Sequence, residues 1–417
     1  MGALIIDGNI PLNGRISVHG SKNSVLPILA AALLNGGESI IHNCPDLRDV
    51  SSAVNILKYL GCSVKREKDV VIIDSSNLTC NDIPDNLMRE MRSSVIFLGA
   101  IISRCGSASL TFPGGCELGP RPIDLHLAAL RELGCAVLEE GGHITCTADN
   151  MQGKDIILSF PSVGATENIM LAAVSCKGTT RILNAAREPE IEDLQRFLRA
   201  MGANISGAGS STIEIVGGAR LHNAEHFVIP DRIVASTYII AAVMTGGEVL
   251  IEKIIPEHIM TVTSLLNGAG CSVTLGRDCA LVRRTGTLCA FRSIRTMPYP
   301  GFPTDVQPPL MALTTRCVGT TVFIENIFEN RYRHVSELIR MGADIKIEGK
   351  VALVYGVREL SGAKVAATDL RGGAALIIAA LGADGTSEIT GVSHIDRGYE
   401  HIENTLSQLG AKIRRVE

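Results

Sequence analysis

The chain has no tryptophan, and only 6 tyrosines and 9 phenylalanines in 417 residues. Base-stacking proteins pair aromatics with a basic surface, whereas the formal charge here is −4; both counts argue against a nucleic-acid partner. No two of the 12 cysteines are spaced Cys-x-x-Cys, so a thiolate zinc or redox site has no support. The opening MGALIIDGNIPLNGRISVHG reads as strand and turn, not as a secretory leader. The expected compartment is therefore the reducing cytoplasm, with most cysteines acting as small buried hydrophobes. The longest apolar stretches, 25–34 and 94–102, fall short of the ~20 residues a membrane helix needs, so no membrane partner is expected. Neither G-x-G-x-x-G nor G-x-x-x-x-G-K-[ST] occurs, so dinucleotide and Walker-type sites lack their fingerprint, and a Rossmann-type parallel sheet is not indicated.

What is present is a globular composition, 46% hydrophobic and 20% charged with 42 glycines, which excludes a disordered or fibrous chain. The length exceeds the ~100–200 residues of one domain. A short turn recurs six times: Leu60-Gly61-Cys62, Leu133-Gly134-Cys135, Met201-Gly202-Ala203, Ala269-Gly270-Cys271, Met341-Gly342-Ala343 and Leu409-Gly410-Ala411. Subtracting the glycine numbers gives spacings of 73, 68, 68, 72 and 68, so six copies of about 70 residues fill the chain. Each copy has an apolar, Ala-rich segment that predicts a buried helix (26–34, 93–103, 165–175, 235–245, 309–315, 373–381). A glycine and a β-rich run follow (GESIIHN, GSASLTF, GTTRILN, GEVLIEK, GTTVFIE, GTSEITG), then an amphipathic helix such as 191–201. The glycine turn ends that helix and opens two strands, as at 203–216. One copy thus reads helix, strand, helix, strand, strand. Three copies are expected to gather into each of two α/β domains, with the junction at Val228-Ile229-Pro230-Asp231-Arg232 and the segment before Lys22 crossing to the second domain.

Cations recur at matching points of the copies. Lys22, Arg92, Arg232 and Arg371 stand at or just before the apolar helices, where the fifth copy has Asp305 and the third has Ser162-Val163-Gly164. Arg121, Arg187, Arg331 and Arg397 stand in turns after the β-rich run. If these points share a cleft, helix N-termini add to its positive potential. Such a cleft suits a small ligand rich in carboxylate and phosphate, which arginine forks bind well. Arg187 precedes Glu188 and Glu190, which predicts a structural ion pair, and Arg232 adjoins Asp231, which predicts a brace at the junction.

Two further residues suggest chemistry. Cys116 lies among glycines and prolines in PGGCELGPRP, an exposed-loop composition rather than a core strand, with Arg121 near enough in sequence to tune the thiol. Asp305 in FPTD precedes an apolar helix and reads as a helix cap, a general base, or both. His222 and His226 are four apart, but HNAEH reads as an irregular connection without the Glu placement of a metalloprotease helix, so no metal site is expected there.

At this point the chain resembles the enolpyruvyl transferase family, and within it the transferases that act on UDP-N-acetylglucosamine, from end to end. The resemblance rests on SKNSVLPILAAALL, MRSSV, PGGCELGPRPIDLH, PSVGATENIM, NAAREPEIEDL, FPTDVQP, FENRYRHVSEL, ATDLRGGAAL and HIDRGYE. It implies two inside-out α/β barrels of three repeats each, 22–229 and 1–21 with 230–417, and an active site in the cleft between them. It implies transfer of the enolpyruvyl group of phosphoenolpyruvate to the sugar 3-hydroxyl by addition and elimination, with no cofactor or metal. Both partners are then small molecules; the sequence carries no signal for oligomeric state. Position by position, Lys22, Arg121 and Arg397 would hold the phosphate of phosphoenolpyruvate, with Arg331 and Arg371 beside its carboxylate. Asn23, Arg92, Arg121, Pro122, Ile123, Asp124, Leu125, Ser162, Val163, Gly164, Asp305 and Ile327 would line the sugar-nucleotide site. Cys116 would be the acid toward the methylene carbon, Asp305 the base toward the hydroxyl, and Lys22 and Arg397 would act in catalysis as well as binding. Phe160, Val234, Pro309 and Ile96 depart from residues common in the family. The competing readings are the sister transferase for shikimate 3-phosphate and a weak or silent sugar-nucleotide-binding paralogue.

Overall fold

The computed structural model describes residues 2–112 and 123–416, with Arg92 by its backbone alone. The six Ala- and Ile-rich segments are helices: Lys22–Ala31, Phe97–Cys105 (preceded by a 3-10 turn, Arg92–Ile96), Val163–Ala173, Arg232–Thr245, Gln307–Thr314 and Leu370–Leu381. They are apolar on all sides and accordingly buried on all sides: all eight residues of Gln307–Thr314 and eleven of the twelve in Leu370–Leu381 are buried. The second helices of the copies, such as Pro189–Ala200, have one buried face. Each of these ends at a glycine of the repeated turn. All six glycines lie in the left-handed region, at φ +105, +97, +100, +89, +95 and +94 for Gly61, Gly134, Gly202, Gly270, Gly342 and Gly410. A side chain there would strain the backbone, which is why the repeat is legible as glycine.

Each copy's β-rich run sits inside a four-stranded sheet. In the third copy, Thr179–Leu183 pairs antiparallel with Thr212–Val216, which pairs with Asn204–Ser206. The structure adds a strand that the five-element reading lacked, Asp155–Ile157, parallel to Thr179–Leu183. The same addition appears in the other sheets as Asp82–Ile83, Ala224–Phe227, Asn13–Ser17, Ser293–Arg295 and Lys364–Ala366. These strands run two to five residues, too short for alternation to announce them. HNAEH is corrected by the same finding: Ala224–Phe227 is not irregular but pairs with Glu38–His42 across 185 residues of chain.

The chain divides into two compact units: residues 20–229 form one, and residues 2–19 with 230–416 form the other. The boundary falls two residues before Lys22, because Ser21 N donates to Ile229 O within the first unit. The amino-terminal segment completes the second unit. Ala3–Asp7 lies between Thr386–Thr390 and Lys412–Val416, and Asn13–Ser17 pairs with Glu248–Glu252. Each unit is an inside-out α/β barrel, with the apolar helices buried and the sheets alternating buried and exposed residues around them.

Seven of the eleven described cysteines are buried and none is in a disulfide. Burial pushes the Cys62, Cys146, Cys176 and Cys317 thiols up to about 12, leaving them as inert packing groups. Among the family departures, Val234, Ile96 and Pro309 are buried in packed helices or turns, whereas Phe160 is exposed. No described helix is long and apolar enough to cross a membrane.

Candidate active site

In the unit 20–229, Lys22 opens the helix Lys22–Ala31 and its Nζ lies 2.8 Å from Asp49 Oδ2. Asp49 sits in the first turn of Arg48–Tyr59 and is buried. Asn23, the next residue, is half-buried. Ser162 caps Val163–Ala173, its side chain accepting from Ala165 N. Gly164 faces His126, and a methyl group added there would come within 3.0 Å of His126 Cε1. Asn168 fixes this corner: its Nδ2 donates to Val95 O and meets His126 Nδ1 at 2.7 Å, while its Oδ1 accepts from Gly99 N. Ile123, Asp124 and Leu125 begin the helix that carries His126, with Asp124 exposed. Arg187, expected to pair with Glu188 or Glu190, is exposed. Those two carboxylates, after burial itself, raise the proton affinity of the fully buried Glu167. Cys116, Arg121 and Pro122 lie outside the described residues, as does the Arg92 side chain.

In the other unit, three of the expected residues meet. Asp305 stands inside the 3-10 turn Thr304–Val306, whose N-cap is Pro303, rather than at the cap position. Its Oδ1 accepts from Arg331 Nη2 at 2.8 Å, and its Oδ2 accepts from Arg371 Nε and Nη2 at 3.1 and 3.0 Å. Arg331 also donates from Nε and Nη2 to Thr304 O. The arginines are buried, with side chains 2% and 3% exposed, while the Asp305 side chain is 27% exposed. Burial disfavours the Arg371 charge, but Asp305, Tyr399 and Asp231 together outweigh it and raise the guanidinium's proton affinity. Arg371 further lies over the Tyr399 ring at 5.5 Å, and the Tyr399 hydroxyl meets Thr237 at 2.9 Å. Arg397 and Ile327 are half-buried in this unit. Arg232 lies over the Tyr299 ring at 5.5 Å, and its neighbour Asp231 caps the helix through Ile233 N and Val234 N.

The supporting residues escaped the sequence reading. Glu325, buried, takes hydrogen bonds from Thr296, Thr304, Ile327 N and Phe328 N, tying the FPTD turn to the turn before Arg331. Asp369 caps Leu370–Leu381 through Arg371 N and Gly372 N. Its position resembles that of Asp231 before Arg232, a pattern visible in the sequence as Asp one or two residues ahead of the cation. Glu325 had a fainter signal, a charge closing an apolar β-run.

Comparisons with known proteins bear on the family and the fold. The profile of the family EPSP synthase (3-phosphoshikimate 1-carboxyvinyltransferase) matches residues 6–406. A UDP-N-acetylglucosamine 1-carboxyvinyltransferase 2 of Caldanaerobacter subterraneus subsp. tengcongensis is 51% identical, with 100% of both chains covered. A UDP-N-acetylglucosamine 1-carboxyvinyltransferase 1 of Symbiobacterium thermophilum is 48% identical, covering 99% of this chain and 95% of that protein. Among solved structures, the enolpyruvyl transferase NikO from Streptomyces tendae superposes with a TM-score of 0.90 at 26% identity, covering 100% and 99%. An EPSP synthase from Acinetobacter baumannii gives 0.75 at 19% identity, with 100% of both chains covered, a likeness of fold.

Proposed function

The chain belongs to the EPSP synthase family of enolpyruvyl transferases, and from that premise we propose that it moves the enolpyruvyl group of phosphoenolpyruvate to the 3-hydroxyl of UDP-N-acetylglucosamine. Phosphate is released, and the product enters peptidoglycan synthesis. The observation that carries the reading is Asp305: a partly exposed carboxylate gripped from behind by two buried arginines. Addition of the sugar hydroxyl across the enol phosphate needs a base at the hydroxyl, an acid at the methylene carbon and fixed cations for the phosphate; elimination then breaks the C–O bond to phosphate and returns a proton from the new methyl group, restoring the double bond in the enol ether product. Asp305 takes the hydroxyl proton. Arg331 and Arg371 first hold Asp305, and the carboxylate of phosphoenolpyruvate competes for the same forks, freeing Asp305 lone pairs for the proton. Lys22, with Arg121 and Arg397, neutralises the phosphate, and Cys116 protonates the methylene carbon. Asn23, Arg92, Pro122, Ile123, Asp124, Leu125, Ser162, Val163, Gly164 and Ile327 receive the sugar nucleotide. No metal or organic cofactor has a step in this chemistry, and the setting is the cytoplasm, where both substrates are made.

Mass spectrometry of a reaction containing phosphoenolpyruvate, UDP-N-acetylglucosamine and shikimate 3-phosphate together tests the acceptor. The enolpyruvyl ether of the sugar nucleotide is expected, and modification of shikimate 3-phosphate instead would transfer the reading to the sister enzyme. Covalent capture by an epoxide phosphonate such as fosfomycin tests Cys116. Labelling is expected in the native protein and lost in Cys116→Ala, and equal labelling of the variant would remove Cys116 from the site.

A further inference from the structure

We infer that Asp193 is a positioning residue that sets the pose of Lys22 and Asn23, an inference that rests on the placement of those two residues at the substrates. Asp193 lies on the helix Pro189–Ala200 and is 1% exposed. Its Oδ2 accepts from Ser24 Oγ at 2.5 Å and from Ile229 N at 3.2 Å, and its Oδ1 faces His226 Nε2 at 3.0 Å. These contacts span 169, 36 and 33 residues of sequence and join three segments of the unit.

The location gives the network its consequence. Ser24 is in the first turn of Lys22–Ala31, directly behind Lys22 and Asn23. Ile229 is the last residue of the unit before the chain leaves it, and Gly20 is the first after the chain enters it. The two crossings are bonded to each other, with Ser21 N donating to Ile229 O at 2.7 Å, and Asn43 Nδ2 from the turn after Glu38–His42 donates to Val228 O at 2.9 Å. One buried carboxylate therefore holds both the turn that presents Lys22 and the strand end beside it. His226 is itself braced by the Phe197 ring at 5.5 Å, on the same helix as Asp193. In a desolvated setting, removing the charged acceptor leaves the Ser24 hydroxyl and the Ile229 N–H without their partner, and the first turn becomes free to shift.

Ser, Asp and His in contact invite comparison with a nucleophilic triad, but the connectivity differs. Serine and histidine both bond the carboxylate, and His226 makes no hydrogen bond to Ser24 among the described residues. Ser24 is fully buried, so its hydroxyl meets no substrate. A base that cannot reach the hydroxyl makes no nucleophile, and anchoring is the role the geometry leaves.

Steady-state kinetics of Asp193→Asn, with circular dichroism to establish folding, tests the inference. The KM for phosphoenolpyruvate is expected to rise at least tenfold with kcat within about threefold of the native value. His226→Gln, which keeps a donor nitrogen near the Nε2 position, should recover most of what His226→Leu loses. A merely structural role would lower the active fraction, and hence kcat, at unchanged KM; that outcome overturns the inference. Amide exchange separates the inference from the functional reading beneath it. Faster exchange at residues 22–25 is expected in Asp193→Asn, and unchanged exchange there sinks the positioning claim. A native protein inert toward both substrates would sink the functional reading instead.

Discussion

Two cations in the first turn of their helices, Lys22 and Arg371, occupy matching places in the repeat and end in opposite arrangements. Lys22 is the more exposed member of its pair, at 11% against 2% for Asp49. Arg371 is the more hidden, at 3% against 27% for Asp305. The first arrangement presents a point charge backed by a buried acid, and the second presents an acid backed by two buried forks. Duplication preserved the position and the helix end, while the surrounding partners decided which charge faces outward. On the proposed reading, Lys22 binds the phosphate while Asp305, held by Arg371, takes the proton.

Substitutions that erase the difference should have graded effects. The largest is expected for Asp305→Asn, which keeps shape and removes the base: kcat should fall roughly 10²–10⁴-fold with KM within about threefold. Native kcat in rapid-quench measurements would end the assignment. Lys22→Met should instead act on binding, raising the KM for phosphoenolpyruvate about 10–100-fold, the scale of a lost charged hydrogen bond. An effect on kcat alone would break the division of roles.

A smaller effect, on stability, is expected from His334, which packs beside Gly372 behind the arginines. Burial, with Arg331 adding to it and Asp369 opposing, lowers its proton affinity from 6.5 to about 4. The unfolded chain therefore binds a proton that the folded chain refuses, and stability is lost as pH falls from about 6.5 toward about 4. Each kcal/mol lost should appear as roughly 2–4 °C in Tm. His334→Gln should flatten this part of the Tm–pH curve, and an unchanged slope would contradict the cause given. The smallest effect belongs to the exposed Arg89–Asp85 pair, four residues apart on one helix. Removing it should leave the urea unfolding midpoint and the kinetics unchanged within error.

Much of this architecture was legible because it is periodic. Glycine at six equivalent turns is dictated locally by positive φ, and each buried helix by its own composition. The short parallel strands were not legible, since Asp82–Ile83 or Asp155–Ile157 gains its identity only from a neighbour. The site divides along the same line. Asp305, Arg331 and Arg371 were nominated from repeat position and family resemblance, and they meet across 26 and 66 residues of sequence. Asp49, Glu325, Asn168 and Asp193 were missed because a buried polar residue announces itself only through partners that folding brings near.

Initial-rate release of phosphate by the native protein tests the central claim most directly. Release is predicted to require phosphoenolpyruvate and UDP-N-acetylglucosamine together, and to saturate with each. Release that ignores the sugar nucleotide, or that proceeds only with shikimate 3-phosphate, would contradict the account.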